Sequence, residues 1–136
     1  MSHEFRLPLR VYYEDTDAAG IVYHANYLKF MERARTEWLR ALGFEQDDLA
    51  RRHGIAFVVR NATLDYLRAA RFNDALTATC APARCGRASV EFLQQVLGEE
   101  GQIICRGEIR VGSVDFRRMV PMRIPDEIFE RISNAF

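Results

Sequence analysis

The sequence predicts an α+β fold in which one long helix packs against a curved antiparallel sheet of about five strands. One segment has apolar residues spaced three and four apart, which is typical of a helix with one buried face. Several other segments are rich in β-branched and aromatic residues and are separated by short turns. Strands joined by such turns pair antiparallel, and a lone helix must bury its apolar stripe against the sheet. We expect a single domain over residues 1–136.

The first elements follow from local patterns. Apolar and polar residues alternate over residues 7–14, which predicts a half-buried strand. The amphipathic helix is predicted from about Ala25 to Leu42 and ends before Gly43, because glycine readily adopts the left-handed conformation that stops a helix. Residues 47–53 predict a short helical turn.

The rest of the chain predicts strands. They are expected over residues 55–66, 75–81, 89–97 and 103–116. The glycines at 98 and 101 predict a hairpin between the last two of them. Pro125 resembles the first residue of a short C-terminal helix.

Composition restricts the partners and the location. Nineteen basic residues balance nineteen acidic ones, so no overall charge draws the chain to nucleic acid. The N-terminus lacks the apolar run of a signal peptide, and no segment is long enough to span a membrane, so we expect a cytoplasmic protein. Three cysteines without metal-ligand spacing are expected to be reduced, and we expect neither a metal nor a cofactor.

The segment between the first strand and the helix is the candidate active site. Asp15 and Asp17 lie there, immediately before the predicted helix. The first N–H groups of a helix have no internal partner and carry partial positive charge, so they can stabilise a carbonyl oxygen that becomes negative. A carboxylate beside such a helix start could hydrolyse an ester or thioester. The alternative is that both aspartates only stabilise the turn or cap the helix.

The run from Tyr13 to Tyr27, YEDTDAAGIVYHANY, resembles the signature of the 4-hydroxybenzoyl-CoA thioesterase family. Within that family it is most similar to the YbgC-type acyl-CoA thioesterases associated with the bacterial Tol-Pal system. The likeness continues through residues 32–35 and 57–60. The resemblance implies a hot-dog fold, in which subunits pair their sheets edge to edge into a homodimer or homotetramer with active sites at the subunit boundary.

The resemblance also implies roles for individual residues. Asp17 matches the catalytic carboxylate, which acts as a nucleophile or as a general base. Backbone N–H groups near Tyr23 and His24 are expected to hold the thioester oxygen, and Gly20 is expected to let the backbone approach it closely. His24 either positions or activates water, or it only packs beside the helix.

Substrate contacts are predicted from the phosphates of the expected substrate, which need arginines near strand ends or turns, and, for the acyl group, from the resemblance. The substrate is expected to be an acyl-CoA, although an acyl carrier protein could carry the acyl group instead. Its phosphates are assigned to Arg60, Arg84 and Arg87, and the acyl group to Tyr23, Phe57, Val58 and Val59. Two alternatives remain: a hydratase or dehydratase of acyl thioesters with the same fold, and a non-catalytic acyl-binding scaffold protein.

Overall fold

The computed structural model describes residues 4–135 as a five-stranded antiparallel sheet with one long helix against it. The strands are β1 (Phe5–Arg10), β2 (Ile55–Tyr66), β3 (Ala75–Cys85), β4 (Ser89–Leu97) and β5 (Ile103–Asp115). The helices are α1 (Asn26–Ala41), α2 (Gln46–Asp48), which continues as one π-helical turn over Leu49–His53, and α3 (Asp126–Ser133). The predicted long helix and the predicted strands are therefore present.

The order of strands in the sheet is β1-β3-β4-β5-β2. β4 and β5 form the predicted hairpin, with Leu97 paired to Ile103. β2 and β3 are consecutive in sequence but are not neighbours, because β2 pairs along its whole length with β5. The connection over residues 67–74 therefore carries the chain across the sheet. This long-range pairing leaves β1 and β2 as the two edge strands.

The first strand is shorter than predicted. It ends at Arg10, whereas the alternation predicted a strand over residues 7–14, and Tyr13–Asp15 instead form one turn of 3-10 helix. The physical reason is that a hydrogen bond between residues close in the chain competes with extension of the strand. The Tyr12 N–H donates to the Asp15 carboxylate at 2.8 Å, so the chain turns where the alternation alone would continue it. β3 is longer than predicted and runs to Cys85.

Helix α1 packs its apolar stripe on the concave face of the sheet. Phe30, Met31 and Ala34 are fully buried, and the Trp38 indole packs edge to face on Phe92 of β4. The helix lies close to β5 at Gly107, where an added Cβ would lie 3.2 Å from the Met31 sulfur. A larger residue there would require the Met31 side chain to shift by a few tenths of an ångström.

The two sheet edges differ in their capacity to pair. β1 has six residues and contains Pro8, which has no N–H to donate. β2 has twelve residues and no proline, so it presents the longer unpaired row of backbone groups. No helix within residues 4–135 has the length and apolar character needed to cross a bilayer.

The three cysteines are free thiols. Burial raises the pKa of the Cys80 thiol to about 12 and that of Cys105 to about 11. Cys85 is half-buried, and its pKa is also raised, chiefly by burial.

Candidate active site

The segment before α1 folds as a small ribbon stabilised by backbone hydrogen bonds. Thr16 pairs with Val22, and the Asp17 N–H donates to the Ile21 carbonyl at 3.0 Å. The ribbon is held to the segment before β3, since the Val22 N–H donates to the Ala70 carbonyl at 2.8 Å. The loop that carries Asp17 is therefore ordered by the fold around it.

Asp15 connects this ribbon to the start of the helix. Its side chain is buried, and its Oδ1 accepts a hydrogen bond from the Asn26 amide at 2.8 Å. The other carboxylate oxygen accepts the Tyr12 N–H. A buried carboxylate requires such donors, because an unpaired charge in the interior is costly. Asp15 thus has a structural role, which the sequence left open as an alternative for both aspartates.

Asp17 lies at the exposed tip of the ribbon. Its Oδ1 accepts the Ala19 N–H at 2.9 Å, and its carbonyl accepts the Gly20 N–H at 3.0 Å. Gly20 has a φ of +79°, which favours glycine, and an added Cβ would meet nothing within 4 Å. In this chain Gly20 is therefore required by the backbone conformation of the turn. The second carboxylate oxygen of Asp17 has no protein donor within residues 4–135.

The N–H groups at the start of α1 are not equivalent, and one part of the prediction requires correction. The Tyr23 N–H donates to the Asp15 carbonyl at 2.8 Å, so it is occupied within the ribbon and is not free to hold a substrate oxygen. The N–H groups of His24 and Ala25 have no acceptor among residues 4–135. The open donors at the helix start are therefore those of His24 and Ala25.

The His24 side chain is exposed beside this donor pair. Its ring lies 4.6 Å from the Tyr23 ring and 6.0 Å from the Tyr66 ring, measured between centroids. The Tyr66 hydroxyl donates to the His24 carbonyl at 3.1 Å, which ties the end of β2 to the start of α1. Sequence reasoning missed Asn26 and Tyr66, because both act through partners far away in the chain.

A cavity of about 300 Å³ lies elsewhere, between the middle of α1 and the concave face of β4, β5 and β2. Phe57 and Val59 of β2, two of the residues assigned to the acyl group, line it. Val58 does not line it, because successive strand residues face opposite sides of a sheet. Tyr23 and the Asp17 ribbon do not line it either. Within one chain, the catalytic candidates and this cavity are therefore separate.

The three arginines assigned to phosphates lie in different environments. Arg60 is exposed on β2 and extends over Gly112 of β5. Arg84 is exposed near the end of β3, opposite Glu91. Arg87 pairs with Asp126 at 3.0 Å and lies 4.1 Å over the Phe129 ring. Arg87 is thus engaged with α3, whereas Arg84 has no ion pair within residues 4–135.

The curved five-stranded sheet with a long helix on its concave face defines a hot-dog protein, and an exposed carboxylate on the ribbon that precedes the open helix N–H groups is typical of a thioester hydrolase. Residues 11–132 match the model of the Thioesterase-like superfamily. The chain belongs to that family. The predicted fold, family and thioester hydrolase class are confirmed.

Similarity to individual proteins supports this membership. The chain is 40% identical to the acyl-CoA thioesterase YbgC of Haemophilus influenzae, over 94% of this chain and 93% of that one. It is 43% identical to the acyl-CoA thioester hydrolase YbgC of Escherichia coli, over 91% and 92%. A probable thioesterase from Bartonella henselae has a solved structure with a TM-score of 0.85 and 33% identity, covering 90% of this chain and 99% of that one.

Proposed function

We propose that this protein hydrolyses acyl-CoA thioesters to a free acid and CoA, with Asp17 as the reacting carboxylate. The observation that carries this proposal is the exposed Asp17 on a hydrogen-bonded ribbon that leads directly into a sixteen-residue helix with two open N–H groups at its start. The similarity to enzymes named acyl-CoA thioesterase supports the substrate class.

The chemistry follows from these groups. The thioester carbonyl oxygen accepts hydrogen bonds from the His24 and Ala25 N–H groups, which stabilise the negative charge that develops on attack. Asp17 either attacks the carbonyl carbon or takes a proton from a water molecule that attacks it. The C–S bond then breaks, and the CoA thiolate takes up a proton. In the first route, water hydrolyses the resulting anhydride and regenerates the carboxylate.

The site is completed, in this proposal, by a second copy of the chain. β2 is the edge strand with the longer unpaired row, and an antiparallel pairing of β2 with its own copy reverses its direction. The start of β2 in one copy then lies near the end of β2 in the second copy. The start carries Phe57 and Val59, which line the cavity, and at the end Tyr66 contacts His24. In one chain these ends are about 30 Å apart, because each strand residue advances about 3.3 Å.

The direct test replaces Asp17 with asparagine, which keeps the size of the side chain and removes its charge. We expect kcat for acyl-CoA esters to fall at least a hundredfold, on the order of 2.7 kcal/mol, while Tm and mass in solution change little. Glu14→Gln is the matched control, because it removes an exposed carboxylate from the adjacent turn. If Asp17→Asn lowers Tm and the folded fraction still turns over normally, Asp17 is only a turn residue.

Three finer points stay predictions. They are the use of an acyl carrier protein as the acyl donor, an association with the Tol-Pal system, and a cytoplasmic location.

A further inference from the structure

The cavity between α1 and the sheet has a polar wall and an apolar floor. Phe57, Val59 and Val111 contribute to the floor. Glu32, Arg35 and Thr36 form the polar wall on one face of α1, because residues three and four apart in a helix are neighbours. Trp38 and Leu39 of the same helix also line the cavity and are apolar. An acyl chain needs only apolar contacts, so the polar wall requires a separate explanation.

Arg35 is the unusual member of this wall. Its side chain is only partly exposed, and burial lowers the pKa of its guanidinium, an effect that the nearby Glu32 carboxylate opposes. Within residues 4–135 no carboxylate oxygen lies within 4 Å of its nitrogens. A guanidinium has five N–H donors, and a partly buried one ordinarily meets a carboxylate or several oxygens. Arg35 therefore has donors to spare.

The orientation of Arg35 is fixed from the sheet side. Its Nη1 donates to the Oε1 of Gln94 on β4 at 2.9 Å. The Gln94 amide is fully buried and donates to the carbonyls of Met31 and Thr79, at 2.9 and 3.0 Å. Gln94 thus uses both ends of its amide, and it holds the guanidinium at the cavity wall as a rigid element rather than a mobile surface charge.

The structure assigns Arg35 a role in specificity: we propose that, with Glu32, it recognises an oxygen atom carried by the acyl group. This rests on the proposed thioesterase function. A hydroxyl group fits both neighbours, since its oxygen can accept from Arg35 while its hydrogen donates to Glu32. A carboxylate would bind Arg35 but would be repelled by Glu32. The preferred substrates are therefore acyl groups with a hydroxyl group at a distance from the thioester.

The test compares CoA esters that differ only at the far end of the acyl chain. Chains of four, six and eight carbons are made with a methyl, hydroxymethyl or carboxylate terminus, and kcat/KM is measured for each. We expect the hydroxylated ester to exceed the methyl ester at least tenfold at one length. Equal kcat/KM values at every length would overturn the inference. Failure to hydrolyse any of the esters would instead overturn the proposed function.

Variants then assign the preference to residues. Arg35→Met keeps the bulk of the side chain and should reduce the hydroxyl preference, which is the ratio of kcat/KM for the hydroxylated ester to that for the methyl ester, to less than twofold. Glu32→Gln should raise kcat/KM for the carboxylate ester at least fivefold. Arg33→Met, on the exposed face of α1, is the matched control and should leave all ratios unchanged.

A structural role for Arg35 predicts a different result. If Arg35→Met lowered kcat/KM for all three termini alike, or converted a dimer to a monomer, Arg35 would serve packing or assembly, and the inference would be wrong. Arg35→Lys provides a second variant should the methionine variant not fold. It keeps the charge without the planar fork and should leave an intermediate hydroxyl preference. If neither Arg35→Lys nor Glu32→Gln changed the hydroxyl preference, the inference would also be overturned.

Discussion

Asp15 and Asn26 are eleven residues apart in sequence, and their side chains meet in a buried hydrogen bond of 2.8 Å. Asp15 belongs to the turn that precedes the Asp17 ribbon, and Asn26 is the first residue of α1. The bond therefore ties the turn that leads to Asp17 to the helix start whose open N–H groups are proposed to bind the thioester oxygen.

We expect Asp15→Asn to destabilise the protein by roughly 2 kcal/mol, because an amide cannot accept hydrogen bonds from both the Tyr12 N–H and the Asn26 amide without placing donor against donor. Urea unfolding measures this, and kcat should fall as the loop shifts. Glu14→Gln should do neither. The double variant Asp15→Asn, Asn26→Asp reverses the donor and the acceptor and should recover part of both losses. No recovery would show that Asp15 acts independently of Asn26.

His24→Asn should lower kcat at least tenfold, about 1.4 kcal/mol in barrier height, with KM little changed. Asparagine retains hydrogen bonding but cannot take up a proton near neutral pH. Tyr66→Phe is the matched control, since it removes the hydroxyl that bonds to the His24 carbonyl and keeps the ring. A wild-type kcat in His24→Asn would assign the imidazole to packing. If Tyr66→Phe lowered kcat equally, the position of His24 rather than proton transfer would explain the loss.

Assembly through β2 can be tested with a single proline. The Leu67 N–H donates to the Ile104 carbonyl and so points towards β5. The N–H groups of successive strand residues point to opposite sides. Because Ala62 is an odd number of residues before Leu67, its N–H points away from β5 towards the free edge. Ala62→Pro should therefore leave the ladder to β5 intact, reduce the mass in solution to that of one chain, and abolish turnover. Pro8→Ala, on the opposite edge strand, should leave the mass unchanged. A monomeric wild-type protein with full activity would contradict this arrangement.

Arg84 and Arg87 should respond differently to replacement by alanine. Arg84→Ala should raise KM for CoA esters roughly tenfold with kcat preserved, because a charged hydrogen bond to phosphate is lost from ground-state binding. Acyl-pantetheine, which lacks the nucleotide, is the control substrate and should show no change in KM. Arg87→Ala should instead destabilise the protein by roughly 1 kcal/mol, since Arg87 pairs with Asp126 and stacks on Phe129. An unchanged KM in Arg84→Ala would remove Arg84 from the phosphate site.

The elements that depend on local pattern could be predicted from the sequence, and those that depend on distant hydrogen bonds could not. The spacing of apolar residues was sufficient for α1, and the glycines at 98 and 101 were sufficient for the hairpin of β4 and β5. The pairing of β2 with β5 has no local signal. Which two strands pair in an antiparallel sheet depends on how the chain between them crosses the sheet.

The candidate site also has features that the sequence could predict and features that it could not. Residue type and position singled out Asp17 before the helix start, and the structure places it at an exposed tip. The occupied N–H of Tyr23 could not be foreseen, because it depends on the conformation of the ribbon. Arg35 and Gln94 were also missed, since they are 59 residues apart and each alone resembles an ordinary polar residue of a helix or a strand.

The buried thiols have a practical consequence for enzymology. Reagents that report released CoA react with thiolates, and a thiol whose pKa is raised by burial to about 11 or 12 holds almost no thiolate at pH 8. Cys80 and Cys105 should therefore stay silent in a continuous colorimetric assay, and Cys85 should react only slowly. Turnover can then be followed with unmodified enzyme, with only the slow reaction of Cys85 as background from the protein and without replacing a single cysteine.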